Sequence, residues 1–403
     1  MQIDNFQWFN PTKLVVKHDA SGEIADYIAT DDIKSVLLAY GQASVKKIGV
    51  YDQVINSLKA KNIQVYELPG VRANPELQTV IQGIDICRKY NIQAVLPLGG
   101  GSTFDTCKAI AVGALFDQDV DSSKIWECYE GSRKIEKALP IYGVLTISAT
   151  GSEMNHAGVI QDDSQKKKFS VYSIHCFPKV SIVDPKLQSF LPWYQQVNGF
   201  VDAFMHVCES LTRIEDIDEV ETTYAINISL LQSIIKAGNK LQVNTNDHVA
   251  RANFVWAATC ALNQLSGIAM RGGCAAVHYL EYPMAGIDPK ISHGAGLGVA
   301  FPAFVRANGE RGLRLNTYNR IAKEVFGKEG WQGLVEGFQT LLKNWGHPTT
   351  LNELFGRNMD EIDRAQLLEI IFLKYLNCVH VAGIMLMDVF LRKSPKMRIR
   401  ICD

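Results

Sequence analysis

The chain has 403 residues, a formal net charge of −1 and 47% hydrophobic residues. A near-neutral chain has no field that attracts a polyanion, so we expect no nucleic-acid partner. No segment reaches the roughly 20 apolar residues of a membrane span, and the first residues lack the basic start and apolar stretch of a signal peptide. We therefore expect a cytoplasmic protein without a membrane segment. We also expect two domains, because a chain of this length is too long for a typical single hydrophobic core.

Short β-branched runs alternate with helical stretches in the first half of the chain. Strands are predicted over 35–40, 63–68, 94–98, 139–146 and 180–185, with helices over 47–59 and 75–90 and another that begins after Gly101. This alternation is typical of a mostly parallel, Rossmann-like sheet covered on both faces. Beyond about residue 192 helical periodicity dominates, for example over 225–237 and 249–266. We therefore predict an α/β dinucleotide-binding domain over 1–187 and an all-helical, metal-binding domain over 188–403.

Nine cysteines are dispersed along the chain without a CxxC pair. They are Cys87, Cys107, Cys128, Cys176, Cys208, Cys260, Cys274, Cys378 and Cys402. An odd, scattered set without an export signal predicts buried free thiols and excludes a zinc site made of cysteines.

Three consecutive glycines follow the predicted strand over 94–98 and open a helix. Glycine lets the backbone approach a ligand closely, and a helix N-terminus presents N–H groups and a positive dipole to phosphate. The segment predicts a pyrophosphate site, with a plain strand-to-helix turn as the alternative. It is not the GxGxxG fingerprint, so it does not specify an ordinary dinucleotide fold. The residues that we assign to the cofactor here are Gly99, Gly100, Gly101, Ser102 and Asp105.

Two further segments follow predicted strands of the same sheet. Residues 146–153 are dense in hydroxyl and small side chains, which suits either hydrogen bonding along a cofactor or a polar turn. Residues 40–47 contain no carboxylate of the kind that holds the ribose 2′-hydroxyl of NAD. Gly41, Ser44 and Lys46 instead offer space, a hydroxyl and positive charge for a 2′-phosphate. They predict NADP(H), with a solvated lysine pair at the start of a helix as the alternative.

One carboxylate and three histidines form a candidate metal cage. Asp202 and His206 are four residues apart on a predicted helix, so both project from one face. His278 and His293 are well separated along the chain and should come from different turns or elements. Such a donor set suits a divalent ion such as Fe²⁺ or Zn²⁺, although a single histidine is more often a satisfied core residue.

These motifs, in this order, resemble those of the iron-containing (group III) alcohol dehydrogenases, in particular the NADP-dependent branch of butanol dehydrogenases and aldehyde reductases. The resemblance runs from about residue 7 to about residue 355 and also includes Asn10-Pro11-Thr12 and Asp184-Pro185. It implies a dehydroquinate synthase-like two-domain fold, a metal in the cleft between the domains and, commonly, a homodimer. It implies four metal ligands, namely Asp202, His206, His278 and His293. It also implies the pyrophosphate cradle Gly100, Gly101 and Ser102, and the further cofactor contacts Thr146, Thr150, Asn155 and Lys168. Lys168 has an alternative interpretation, as a solvated member of the run Lys166-Lys167-Lys168.

The chain departs from the family pattern at three places. A further histidine usually follows the third ligand by four residues, whereas Tyr282 stands there. We assign its phenol as a proton relay, with a chain of water molecules as the alternative. The spacing before His293 is one residue longer than usual, so we expect the loop around Asp288 to bulge, leaving His293 either in the cage or shifted away. From about Phe372 the chain does not resemble the family's closing helix.

Together these features predict a metal-dependent oxidoreductase that transfers a hydride between NADP(H) and a small primary alcohol or aldehyde. A glycerol dehydrogenase-like or dehydroquinate synthase-like enzyme on the same fold is one alternative. The synthase needs basic residues for a phosphate-bearing substrate, and we find no such cluster. A nucleotide-binding relative that has lost its activity is another alternative, which the three departures would explain.

Overall fold

The computed structural model describes residues 6–165, 167–212, 217–270, 275–288 and 290–360. The departure predicted from about Phe372 lies outside the described residues. The strands are β1 (Lys13–Val16), β2 (Ser35–Tyr40), β3 (Gln64–Leu68), β4 (Ala94–Gly99), β5 (Tyr142–Leu145), β6 (Ala157–Asp162), β7 (Lys167–Tyr172) and β8 (Val180–Val183). The α-helices are α1 (Ile24–Thr30), α2 (Ser44–Lys47), α3 (Val50–Ala60), α4 (Leu77–Lys89), α5 (Gly101–Gly113), α6 (Ile125–Tyr129), α7 (Trp193–Leu211), α8 (Glu221–Val243), α9 (His248–Leu262), α10 (Ala276–Ile287), α11 (His293–Glu310), α12 (Leu315–Phe326), α13 (Gly330–Asn344) and α14 (Leu351–Phe355).

Six strands form one parallel sheet in the order β1-β8-β5-β4-β2-β3. All six residues of β4 and the last five of β2 are buried. Both faces of the sheet are therefore covered, which explains the near-continuous apolar runs of these strands. The strands β2, β4 and β5 end at the same edge, so the loops that follow them are neighbours.

Alternate residues of β2 pack into two separate hydrophobic layers. Leu37 and Ala39 lie in a cluster with residues of α4, α5 and α6. Val36 and Leu38 lie in a second cluster with residues of α1 and α3. This alternation follows from the two-residue period of a strand. Helices therefore cover β2 on both faces of the sheet.

The predicted helix over 47–59 is divided into α2 and α3. Gly49 lies between them with φ +77°, a conformation that ends one helix and turns the chain into the next. The predictions did not include the edge strand β1 or the antiparallel hairpin β6–β7, in which Ile160 pairs with Phe169. The predicted parallel α/β architecture is confirmed.

The chain forms two compact units. One consists of residues 7–203 and 233–268 and contains the whole parallel sheet; the other consists, among the described residues, of Phe6, those from 204 to 232 and those from 269 onwards. In its described residues the second unit contains helices and no strand. The units interleave along the chain, and the domain boundary near residue 187 stays a prediction. No helix in the described ranges is long and apolar enough to cross a membrane.

Six of the nine cysteines fall within the described residues. All six are buried free thiols, as predicted: Cys87, Cys107, Cys128, Cys176, Cys208 and Cys260. The other three, Cys274, Cys378 and Cys402, lie outside the described residues.

Candidate functional site

The triple-glycine segment joins β4 to α5. Gly100 is the N-cap residue of α5, and no side chain caps this end of the helix among the described residues. The first-turn N–H groups of a helix have no intrahelical partner. Together with the dipole of a 13-residue helix they form a place where a phosphate can bind.

The segment after β5 lies directly against this loop. The Thr146 N–H donates to the Gly99 carbonyl at 2.9 Å. A Cβ added at Gly101 would lie 2.4 Å from Oγ1 of Thr150, so these two loops can approach each other only because residue 101 has no side chain. The structure therefore brings two of the three predicted cofactor segments together at one edge of the sheet.

A buried network lies beneath the two loops. The Lys108 ammonium is fully buried and donates to Oγ of Ser152 at 2.7 Å and to Oδ1 of Asn155 at 2.9 Å. Oγ of Ser152 in turn donates to Oδ1 of Asp105 at 2.7 Å, and the Val159 N–H donates to the other carboxylate oxygen at 3.1 Å. The described contacts of Asp105 and Asn155 are thus with the protein, and their assignment to the cofactor stays a prediction.

Burial dominates the electrostatics of this network. It lowers the pKa of Lys108 to about 8, although Asp105 acts in the opposite direction. It raises the pKa of Asp105, while Lys108 and the hydrogen bond from Ser152 act to lower it. Burial also raises the pKa of Glu153, which accepts a 2.6 Å hydrogen bond from Thr259. Removal of ionic groups from water explains all three directions.

The third predicted cofactor segment carries an aromatic cluster. Nζ of Lys46 lies 5.2 Å from the ring centroid of Tyr40 and 4.5 Å from that of Tyr51, within cation–π range. Both phenols donate to Oε2 of Glu67, at 2.6 Å and 2.9 Å. Burial and this carboxylate raise the pKa of both phenols to about 12, so both remain protonated donors. A carboxylate therefore does lie at this edge of the sheet, on β3 rather than after β2.

The remaining predicted cofactor residues lie on different elements. Gly41 accepts a hydrogen bond from Gly70 N–H at 3.1 Å, and Ser44 is the exposed first residue of α2. Lys168 lies on β7, where its ammonium donates to Oδ1 of Asn74 at 3.0 Å. The charge of Lys168 also acts to lower the pKa of Asp105. Its role toward a cofactor stays a prediction.

The four predicted metal ligands occupy three helices. Asp202 and His206 lie one turn apart on α7, His278 lies on the first turn of α10, and His293 begins α11. Asp202, His278 and His293 each offer one ligand atom, and these three atoms all lie within 4.8 Å of one another. The ring of His206 stacks on that of His278, with centroids 4.9 Å apart.

A buried carboxylate binds the second nitrogen of His278. Nδ1 of His278 lies 2.5 Å from Oε2 of Glu209, which is itself buried on α7. Oε1 of Glu209 accepts from the backbone N–H groups of Val277 and His278, at 2.6 Å and 3.3 Å. Because the carboxylate accepts, the proton lies on Nδ1 and the lone pair on Nε2.

His293 has the same kind of partner. Its Nδ1 lies 2.7 Å from Oε2 of Glu281, a fully buried residue of α10. A Cβ at Gly296 of α11 would lie 2.6 Å from Cγ of Glu281. The Glu281 side chain therefore fits against α11 because residue 296 has no side chain. Nε2 is again the nitrogen that carries the lone pair.

This donor set fits a divalent metal. One carboxylate and imidazole nitrogens are common ligands of iron and zinc. Bonds of about 2.1 Å keep the ligand atoms of one ion within about 4.2 Å of one another, so the group needs only a small contraction. Imidazole ligands whose other nitrogen donates to a carboxylate are also the usual arrangement at metal centres.

Two predicted departures lie beside these ligands. The buried ring of Tyr282 has its centroid 6.4 Å from that of His293. In the loop before His293, the Lys290 N–H donates to Oδ1 of Asp288 at 3.0 Å and the Ile291 N–H donates to the Asp288 carbonyl. His293 lies with Asp202 and His278 in the group of ligand atoms, so it is not shifted away from them.

Sequence reasoning did not identify Glu209, Glu281 or Glu67. Glu209 follows His206 by three residues and Glu281 follows His278 by three, so a helical face could have suggested both. That signal gives the wrong partners, because Glu209 binds His278 and Glu281 binds His293. No spacing in the sequence relates Glu67 to the cofactor segment 40–47, since Glu67 is an exposed residue of the separate strand β3.

Comparison with known proteins places the chain among enzymes of one kind. The sequence models described as iron-containing alcohol dehydrogenase and as the C-terminal part of the Fe-containing alcohol dehydrogenase family match residues 11–185 and 196–371. A protein of Bacillus subtilis named probable NADH-dependent butanol dehydrogenase 1 is 33% identical over 370 residues, which cover 90% of this chain and 92% of that protein. The NADPH-dependent aldehyde reductase YqhD of Escherichia coli is 33% identical over 75% of each chain.

Solved structures agree with the sequence matches. The crystal structure of an NADH-dependent butanol dehydrogenase A from Thermotoga maritima superposes with a TM-score of 0.84 and 38% identity, covering 93% of this chain and 92% of that one. The family models match consecutive parts that together span most of the sequence, and the predicted ligands and phosphate loop lie within them. The resemblance inferred from the motifs is thereby confirmed, and the chain belongs to the iron-containing alcohol dehydrogenase family.

Proposed function

We propose that the protein is a metal-dependent alcohol dehydrogenase, or aldehyde reductase, that moves a hydride between NADP(H) and a small primary alcohol or aldehyde. The grouping of Asp202, His278 and His293, with two imidazoles oriented by buried carboxylates, is the observation that carries this proposal. Membership of the family supports the reaction class. The relatives carry names that specify either NADH or NADPH, so the cofactor preference belongs to the proposal.

Asp202, His206, His278 and His293 would hold one divalent ion, Fe²⁺ or Zn²⁺. When bound, such an ion polarises the substrate oxygen and lowers the pKa of an alcohol. The carboxylate and the three rings would fix where that oxygen binds. Positioning of this kind accounts for a large part of enzymatic acceleration.

The dinucleotide would bind along the edge formed by the ends of β2, β4 and β5. When bound, its nicotinamide ring accepts or supplies the hydride. Gly99, Gly100, Gly101 and Ser102 offer the start of α5 to the pyrophosphate, and Thr146, Thr150, Asn155 and Lys168 would support the remainder.

At the far end of the dinucleotide, Gly41, Ser44 and Lys46 would receive a 2′-phosphate. The Lys46 ammonium lies over two tyrosine rings, so its charge is positioned before any ligand binds. This positioned positive charge supports NADP(H). The neighbouring Glu67 carboxylate would repel a 2′-phosphate and so favours NAD(H).

We assign the proton transfer at the substrate oxygen to the hydroxyl of Tyr282. The phenol can donate a proton and recover it from water. Its buried ring has its centroid 6.4 Å from that of His293, a proposed metal ligand, and this proximity supports the assignment. We also expect the protein to be a homodimer, which light scattering of the purified protein would measure.

Elemental analysis of the purified protein, combined with butanal reduction by NADPH and by NADH, tests the proposal. We expect about one divalent ion per chain and faster turnover with NADPH. His206→Ala should lose both metal and turnover, whereas the control His248→Ala changes an exposed histidine on α9 and should keep both. Near-normal turnover by a metal-free His206→Ala protein would contradict the metal mechanism. Tight NADPH binding without turnover of any aldehyde would indicate a relative that has lost its activity.

A further inference from the structure

Two imidazoles of the second compact unit, those of His278 and His293, are bound by carboxylates from helices other than their own. Glu209 on α7 binds His278 on α10, and Glu281 on α10 binds His293 on α11. These contacts form a chain from α7 through α10 to α11. Helix α10 therefore supplies both a proposed ligand, His278, and the carboxylate that orients the next ligand, His293.

We propose that Glu209 and Glu281 are positioning residues that set the affinity of the metal centre, by holding His278 and His293 with Nδ1 protonated and Nε2 available. This inference rests on the proposed metal site. It assigns a function to two buried side chains that the reaction itself does not require.

Glu209 is suited to this role because each of its oxygens has a separate task. Oε1 accepts from the Val277 and His278 N–H groups, and Oε2 accepts from the His278 ring. The same carboxylate thus satisfies N–H groups at the start of α10 and fixes the ring that α10 carries. An amide cannot replace it, since a glutamine would direct an NH₂ group either at a backbone N–H or at Nδ1.

The described hydrogen bond of Glu281 involves one of its two carboxylate oxygens. Its Oε2 accepts from the His293 ring, and its Cγ would lie 2.6 Å from a Cβ added at Gly296. A glutamine here can rotate its amide so that the carbonyl oxygen accepts from Nδ1. Glu281→Gln should therefore preserve the orientation of His293, whereas Glu281→Ala should release it.

The measurement is the dissociation constant of Co²⁺, obtained by chelator competition on the apo form of the full-length protein, with the visible Co²⁺ spectrum recorded at saturation. Loss of an outer-shell partner typically weakens metal binding by roughly 10–100-fold. We expect losses of that order for Glu281→Ala, Glu209→Ala and Glu209→Gln, and a change within about threefold for Glu281→Gln. The control is Glu324→Ala, which removes a carboxylate of the same unit that accepts from the Tyr224 hydroxyl at 2.7 Å.

Circular dichroism of each apo variant separates affinity from folding. If Glu209→Ala does not fold, the difference in Co²⁺ affinity between Glu281→Ala and Glu281→Gln still tests whether a carboxylate partner sets the metal affinity. Wild-type affinity and an unchanged spectrum in Glu281→Ala would overturn the inference while leaving the metal site intact. Failure of the wild-type protein to bind Co²⁺ would instead overturn the proposed function, so the two failures are distinguishable.

Discussion

The hydroxyl of Tyr40 donates to Oε2 of Glu67 at 2.6 Å, linking the last residue of β2 to a residue near the end of β3. The same oxygen accepts from Tyr51, and both rings lie beneath Lys46. A positive and a negative group therefore lie together at the predicted 2′-phosphate site. The preference between NADP(H) and NAD(H) should depend on the balance between these two charges.

Removal of either charge should change this preference in a defined direction. Lys46→Met should lower kcat/KM for NADPH by roughly tenfold, about 1.4 kcal/mol, because a charge-assisted phosphate contact is lost. Glu67→Gln should raise the NADPH to NADH ratio by roughly two- to fivefold, as expected for an exposed charge. Steady-state kinetics with both cofactors measures the ratio.

Lys59→Met is the matched control, since Lys59 is an exposed lysine of α3. It should leave the ratio within experimental error. Equal ratios in wild type and in the Lys46 variant would show that the 2′ end of the cofactor binds elsewhere.

The close approach of Gly101 and Thr150 gives a second prediction. Alanine at position 101 would bring a methyl group within 2.4 Å of Oγ1 and 2.6 Å of Cγ2 of Thr150. Overpacking of this kind costs about 1–3 kcal/mol of stability, and it should also raise the dissociation constant of the dinucleotide by displacing the loop after β5.

A double-mutant cycle isolates the cause. Thr150→Ala removes the two nearest atoms, Oγ1 and Cγ2, and leaves only Cβ at 3.0 Å, so Gly101→Ala/Thr150→Ala should be less destabilised than the sum of the two single changes. Gly22→Ala is the control, because a Cβ there meets its nearest atom, in Ser57, at an ordinary 3.5 Å. Strict additivity in urea unfolding would contradict this explanation of the triple-glycine segment.

The bridging hydroxyl of Ser152 gives a third prediction. It accepts from the Lys108 ammonium and donates to Asp105, both buried. Ser152→Ala leaves each charged group short of a partner and should lower the free energy of unfolding by about 1–3 kcal/mol. It should also raise the pKa of Asp105 further, because the hydrogen bond from Ser152 acts to lower it.

Ser189→Ala provides the comparison for this change. Ser189 is half-buried and its hydroxyl donates to the Lys186 carbonyl at 2.7 Å without bridging charged groups, so its loss should change stability by no more than about 0.5 kcal/mol. Equal stability of the two variants in urea would mean that Lys108 and Asp105 do not depend on the bridge.

Local patterns were sufficient for five of the six strands of the parallel sheet and for the position of the loops that follow β2, β4 and β5. The continuous apolar runs of β2 and β4 identified buried parallel strands, and the glycines after β4 identified the start of α5. The hairpin β6–β7 was missed because its burial is only partial, particularly in β7, where five residues are half-buried and one is exposed. Such a strand lacks the strong apolar period on which single-sequence assignment depends.

The partners of the metal ligands could not be predicted in the same way. Spacing along a helix places Glu209 near His206 and Glu281 near His278. The observed partners come from neighbouring helices, and they depend on how α7, α10 and α11 pack. Packing of that kind has no signature in a single sequence, whereas the types of the ligands do.

The burial of His347 gives a prediction about acid stability. Desolvation lowers the pKa of its imidazole to about 4, from an ordinary value of 6.5. The folded protein therefore keeps this ring neutral between those two values, while the unfolded chain binds a proton there. The unfolded state binds more protons in this window, so the free energy of unfolding must fall as the pH falls from about 6.5 to about 4.

The size of the effect follows from the shift, at about 1.4 kcal/mol for each pH unit, giving a loss of about 3 kcal/mol across the window. His347→Gln removes this titration, so its stability should decline less steeply than that of the wild type. The measurement is urea unfolding at several pH values, with the difference between the two proteins isolating the contribution of His347. In the control His248→Gln, which changes an exposed histidine, the curve should run parallel to the wild type. A constant difference between wild type and His347→Gln across the window would mean that the buried ring takes up its proton as readily as the unfolded one.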